Sequence, residues 1–137
     1  MINFESKFFQ KQNFTKEQVQ QLWENAKRDL NIAKKDSLSE VKFTYSYNAL
    51  IKSGIALIAK TGKVKVRSAQ GHHIKILEKM SKVLNDERIE TIGNAMRTKR
   101  NLDFYGGGVL ISEKESSDYC NFVEKTFDKI DKIILAP

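Results

Sequence analysis

No proline interrupts this chain before residue 137. Inside a helix, proline removes a hydrogen bond and clashes with the preceding turn, so its absence lets almost the whole length be helical. Three stretches predict where helices begin. Thr15–Gln18 (TKEQ), Ser37–Glu40 (SLSE) and Ser112–Glu115 (SEKE) each carry a hydroxyl followed three residues later by Glu or Gln. In such a capping box the two side chains satisfy amides that the first helical turn leaves without partners.

Hydrophobic spacing outlines the segments between these signals. Val19, Leu22, Trp23, Ala26, Leu30 and Ala33 recur at steps of three and four, which predicts a helix from about Lys16 to Ala33 with one buried stripe. A second helix is expected over about Leu38 to Lys60. Val41, Tyr45, Ala49, Lys52 and Ala56 share one of its faces, and Phe43, Tyr47, Leu50, Gly54 and Leu57 share another. Two apolar faces predict a central position. A third helix runs from His72 to Leu84, with Ile74, Leu77, Met80 and Leu84 inward. Asn85 or Asp86 caps a fourth, whose stripe is Ile89, Ile92 and Met96. The fifth carries Tyr119, Phe122, Val123, Thr126, Phe127, Ile130 and Ile133.

Residues 61–71, TGKVKVRSAQG, alternate Lys and Val but show no evident partner strand, so they read as a basic loop. Residues 1–14 read as an arm or a short extra helix. The expectation is one all-α domain over 1–137, an antiparallel up-and-down bundle of about five helices. A chain of 137 residues can bury a core without staples. The single cysteine, Cys120, lies in the apolar pattern of the fifth helix and reads as a small core residue. No apolar leader or spanning stretch stands out, so a cytoplasmic protein without membrane contact is expected.

The net charge of +7 is unevenly placed. Residues 60–100 hold 11 Lys/Arg against 4 Asp/Glu, and the remainder holds 13 of each sign. A local basic field favours a polyanionic partner, RNA before others; a solvated lysine-rich face is the alternative. The sharpest feature within reach of this field is Arg97–Gly108, RTKRNLDFYGGG. If the fourth helix continues through Tyr105, then Arg97, Asn101 and Tyr105 share a face and Arg100 flanks it. Guanidinium groups suit phosphate because their planar fork bonds bidentately and stays charged. Asn101 can orient an Arg or bond a ribose hydroxyl, and Tyr105 can stack on a base. Lys99 adds a third cation. The helix C-terminal dipole accounts for the same cations without any function. The glycines at 106–108 lack the Lys-Ser/Thr of a P-loop and read as a helix stop.

His72 and His73 are the second candidate. Neighbouring residues on a helix point about a hundred degrees apart, and no other His or nearby Cys exists, so a metal site is not expected. Either ring could move protons near neutral pH, or simply pack between helices. Arg67, in the preceding loop, would oppose their protonation if close.

With GHH at 71–73 opening a middle helix and RTKRNLDFYGGG before the last, the chain resembles the HEPN superfamily, in particular its stand-alone bacterial and archaeal members. The likeness covers roughly Ser37 onward. It implies a helical bundle that forms homodimers. Active members are metal-independent ribonucleases in which an Arg and a His from two protomers meet, the 2′-hydroxyl attacks the adjacent phosphate, Arg steadies the charge and His moves protons. By this resemblance Arg100 is the motif Arg and Asn101 its polar neighbour. Tyr105 stands where the motif His would be, and a phenol is a poor general base at neutral pH. The basic field and the resemblance together lead us to expect RNA or nucleotide binding through Arg97, Lys99, Arg100, Asn101, Arg67 and His72, with a degenerate catalytic set of Arg100 and Tyr105 and with His73 folding back as the proton carrier. The resemblance implies no cofactor. It also implies a nucleotidyltransferase partner in a toxin–antitoxin or defence setting, with Tyr105 as the phenol such a partner would modify. The alternatives are an active endoribonuclease toxin and a structural adaptor without nucleic-acid contact.

Overall fold

The computed structural model of the chain describes residues 1–107 and 110–137, without the side chain of Phe104. Among the described residues, five helices make an all-α bundle: α1 (Lys16–Lys35), α2 (Ser39–Gly62), α3 (His72–Leu84), α4 (Glu87–Tyr105) and α5 (Glu113–Ile134). Two short strands, β1 (Phe9–Lys11) and β2 (Val64–Val66), pair antiparallel.

Two of the three capping boxes form. Thr15 Oγ1 accepts the Gln18 amide at 3.1 Å while Gln18 Oε1 accepts that of Thr15 at 2.8 Å. Ser112 and Glu115 repeat the exchange at the start of α5. The predicted box at Ser37 does not form. Asp36 Oδ1 takes the Leu38 amide at 2.8 Å, and α2 starts from Leu38 without a side-chain cap. A carboxylate two residues ahead of the amide makes the local turn first, so the hydroxyl never reaches the capping position.

α2 is central, as its two apolar faces require: it packs against α1, α3, α4 and α5. On its α1 side, Lys52 Nζ meets the buried carboxylate of Asp29 at 2.7 Å. Trp23 of α1 lies against Phe127 of α5, with ring centroids 4.8 Å apart, and donates its indole N–H to Asp131 Oδ1 at 3.1 Å. Cys120 of α5 is buried in the same apolar core. Against α3 the fit depends on Gly54. A Cβ there would lie 2.5 Å from Met80 Sδ and 2.6 Å from Ile76 Cγ2. The missing methyl lets α3 press close to α2.

The inward face of α3 differs from the one expected. Ile74 is 39% exposed, whereas Ile76 is fully buried beside Leu77 and Met80. The buried face turns so that Lys79, only 1% exposed, reaches the carboxylates of Glu5 (2.7 Å) and Glu78 (3.0 Å). Those ion pairs supply the compensation that a buried ammonium requires.

The segment expected to be an arm or a short extra helix instead forms a strand and sends one side chain into the core. Phe9 is buried, Phe4 sits in edge contact with it, and Glu5 also binds Lys75 at 2.6 Å. The predicted basic loop contains β2, whose partner is β1: Phe9 pairs with Val66, Gln10 with Lys65 and Lys11 with Val64. The two strands lie more than fifty residues apart in sequence, so no local pattern announces the pairing. Gly106 ends α4, its amide donating to the Leu102 carbonyl at 2.9 Å, and Gly107 has φ +89°. Gly108, the last of the predicted helix-stop glycines, lies outside the described residues.

Candidate functional site

The turn entering α3 places both histidines. Gly71 has φ +83°, a left-handed conformation that a side chain would strain. The His72 amide then donates to the Ala69 carbonyl at 3.0 Å, and His72 Nδ1 lies 2.7 Å from the same oxygen. A carbonyl only accepts, so His72 carries its hydrogen on Nδ1 and, when neutral, presents Nε2 as a bare lone pair. His73 turns instead toward α2. Its Nδ1 shares a 2.8 Å hydrogen bond with the Tyr47 hydroxyl, and the two rings lie 5.7 Å apart. The His72 and His73 rings meet edge to face at 4.4 Å. Tyr47 is 1% exposed and forms the floor of the group.

The last turns of α4 bring the arginines to this floor. Arg97 and Arg100 are half-buried, and their charges act on both Tyr47 and His73. Arg97 Nε donates to Asn94 Oδ1 at 3.1 Å, and Asn94 in turn donates to the Glu90 carbonyl. That relay holds the guanidinium by its inner nitrogen. Among the described residues no carboxylate pairs with Arg97. Arg100 Nη1 lies 3.5 Å from Asn101 Oδ1.

The electrostatic consequence is strong. Burial, then His72, Arg100 and Arg97 in that order, lower the His73 pKa to about 4, so the ring is neutral at pH 7. Burial pushes Tyr47 up to about 12, although the two arginines pull the other way. Near neutrality the floor is thus a neutral imidazole bonded to a neutral phenol, with two guanidiniums alongside. The field that discourages a proton on His73 is the field that attracts an anion.

Two of the expected site residues lie elsewhere or point away. Lys99 turns to α5, where Glu115 binds its ammonium at 2.8 Å. Arg67 is exposed, its backbone amide donating to the Phe8 carbonyl at 2.7 Å, and its charge is not among those acting on His73. Tyr105 is 79% exposed. The basic segment is also less bare than its composition suggests. Lys75, Lys79, Lys82, Arg88 and Lys99 each meet a carboxylate, and Lys60 donates to the Ala136 carbonyl.

Set against protein-family models, curated proteins and solved structures, the chain matches none. Function therefore rests on the site itself. Sequence reasoning missed two of its members, Tyr47 and Asn94. Tyr47 reads as one more apolar residue of α2, yet a phenol on a buried face needs a polar partner, and that requirement was the available signal. Nothing in the spacing of Asn94 marks it. Among the described residues no three His, Cys, Asp or Glu side chains gather as metal ligands, and no helix is long and apolar enough to cross a membrane. A cavity of about 870 Å³ lies elsewhere, between the start of α1 and the ends of α2 and α5, and holds none of these groups.

Proposed function

We propose that this chain is a HEPN-like RNA- or nucleotide-binding protein of the cytoplasm. It acts as a homodimer with a degenerate catalytic motif, beside a nucleotidyltransferase partner in a toxin–antitoxin or defence setting. The observation that carries the binding reading is that Arg97 and Arg100 of α4 act electrostatically on the hydrogen-bonded His73–Tyr47 pair of α3 and α2. A phosphate drawn to that end of α4 would meet guanidinium forks. Tyr105, about one turn after Asn101 on α4, is exposed and so open to a partner enzyme. Leu102 and Leu110, 50% and 93% exposed, are apolar surface near the same end of α4 that a second protomer would cover.

The test is retention of total RNA by the purified protein in EDTA. Retention without cleavage is expected, falling steeply as salt rises and weakened in Arg97→Ala and Arg100→Ala. Absence of retention at low salt would favour a structural adaptor. Light scattering at micromolar concentration tests the dimer.

One observation favours a second reading, a metal-independent endoribonuclease. His72, held by Nδ1 on the Ala69 carbonyl, meets His73 edge to face, and a neutral imidazole held so can accept a proton from a 2′-hydroxyl at Nε2. Cleavage in EDTA that disappears in both His72→Ala and Arg100→Ala would make the protein an enzyme.

A further inference from the structure

The cavity between the start of α1 and the ends of α2 and α5, about 870 Å³, falls within the roughly 300–1,000 Å³ of small-molecule sites. Its walls are tied together at two points. The Gln12 amide donates to the Lys63 carbonyl at 3.0 Å, holding the approach to α1 against the end of α2. Lys60 Nζ donates to the Ala136 carbonyl at 2.8 Å, holding the residues after α5 against α2. The floor is apolar, and local sequence makes it so. Phe14 precedes the Thr15 cap and Val19 holds the fourth position of α1, the pairing of a hydrophobic staple. Both line the cavity, with Ala59 of α2 and Ile134 of α5.

Charge around this floor is one-sided. Lys16, Lys60 and Lys63 line the cavity, and among the described residues no Asp or Glu side chain does. Among the same residues none of the three lysines meets a carboxylate. The helix dipole accounts for Lys60 and Lys63 at the end of α2. It opposes Lys16 in the first turn of α1, where an anion rather than a cation is favoured. A ligand that supplies the missing negative charge explains all three.

We propose that this cavity binds a small acyl carboxylate, its chain lying along Phe14, Val19, Ala59 and Ile134 and its headgroup meeting the ammonium groups of Lys16 and Lys63. Lys60 uses one of its three donors on Ala136 and has the others for the same headgroup. Burial of the chain supplies affinity, and the lysines select the charge. A phosphodiester has no tail for the floor, so this site is distinct from the arginines of α4.

The probe is decanoate, measured by calorimetry at low salt and about pH 7.5, where the carboxylate is ionised. It is compared with 1-decanol, which keeps the chain without the charge, and butyrate, which keeps the charge without the chain. One saturable site is expected, with decanoate at least about tenfold tighter than either. Lys16→Gln combined with Lys63→Asn should weaken decanoate about tenfold, and Asn suits the left-handed backbone at 63. The same loss of charge in Lys35→Gln with Lys125→Gln, neither of which lines the cavity, should leave decanoate binding unchanged. As a readout that needs no variant, the methyl resonances of Val19, Ala59 and Ile134 should shift with decanoate while that of Ile76, beneath α3, stays put. Decanol binding as tightly as decanoate, or decanoate binding that survives loss of Lys16 and Lys63, overturns the proposal. No saturable binding up to about 1 mM, or shifts confined to other methyls, overturns it as well. So does retention on anionic phospholipid vesicles by a protein that ignores dispersed decanoate, which would make this face a membrane contact.

Discussion

Lowering the pH tests the Tyr47–His73 pair in the free protein. His73 has a pKa of about 4 in the fold against 6.5 for an ordinary histidine. Between those values the unfolded chain binds the extra proton and the folded chain does not. Stability therefore rises with pH across this window and is lost as pH falls from about 6.5 toward 4. At about 1.4 kcal/mol per pH unit the full interval corresponds to about 3 kcal/mol, and solvent reaching the half-buried ring reduces this to roughly 1–2 kcal/mol. Urea unfolding of wild type and His73→Gln at about pH 7.5 and pH 5 isolates the contribution, because other acids titrate alike in both proteins. The wild type is expected to lose about 1 kcal/mol more than the variant over that step. Parallel losses in the two proteins would mean that the ring protonates freely in the fold, and that neither its burial nor the nearby arginines act on it as described.

Removing either arginine relieves part of that field, so the His73 resonance in Arg97→Ala and in Arg100→Ala should titrate at higher pH than in the wild type. The same variants should reduce the slope of log affinity for RNA against log salt by about one each. Gly54→Ala should destabilise by about 1–3 kcal/mol in urea, since overpacking against Met80 and Ile76 outweighs the helix propensity gained. Trp23→Phe should cost about 1–3 kcal/mol through the lost contact with Asp131 and the vacated ring volume, read as a lower urea midpoint with unchanged slope. Glu5, held at a pKa of about 2 chiefly by hydrogen bonds from Lys75 and Lys79, stabilises the fold above about pH 4.5 and ceases to as pH falls toward 2. Glu5→Gln should flatten that acid limb of the stability profile.

Much of the architecture was legible in the sequence because helices are specified locally. Stripes at steps of three and four, capping residues within one turn and the absence of proline all act over a few positions. The ends of α3, the cap of α4 at Asp86 and the cap of α5 at Ser112 follow from such signals. Two of the failures share one cause. The pairing of β1 with β2 and the burial of Lys79 beside Glu5 both depend on the first eleven residues folding back onto the bundle. No short-range pattern encodes a contact of that separation.

The candidate site divides in the same way. From the sequence alone come the residue types that suit phosphate, Arg97 and Arg100 on one helix and two adjacent histidines on another, because side-chain chemistry and helical spacing are properties of the chain itself. The tertiary structure decided which of them meet. It set Tyr47 beneath His73, turned Lys99 toward Glu115, and brought the end of α4 to the start of α3. Burial and the neighbouring charges are what shift the titration of His73, and both are fixed only when separate helices pack.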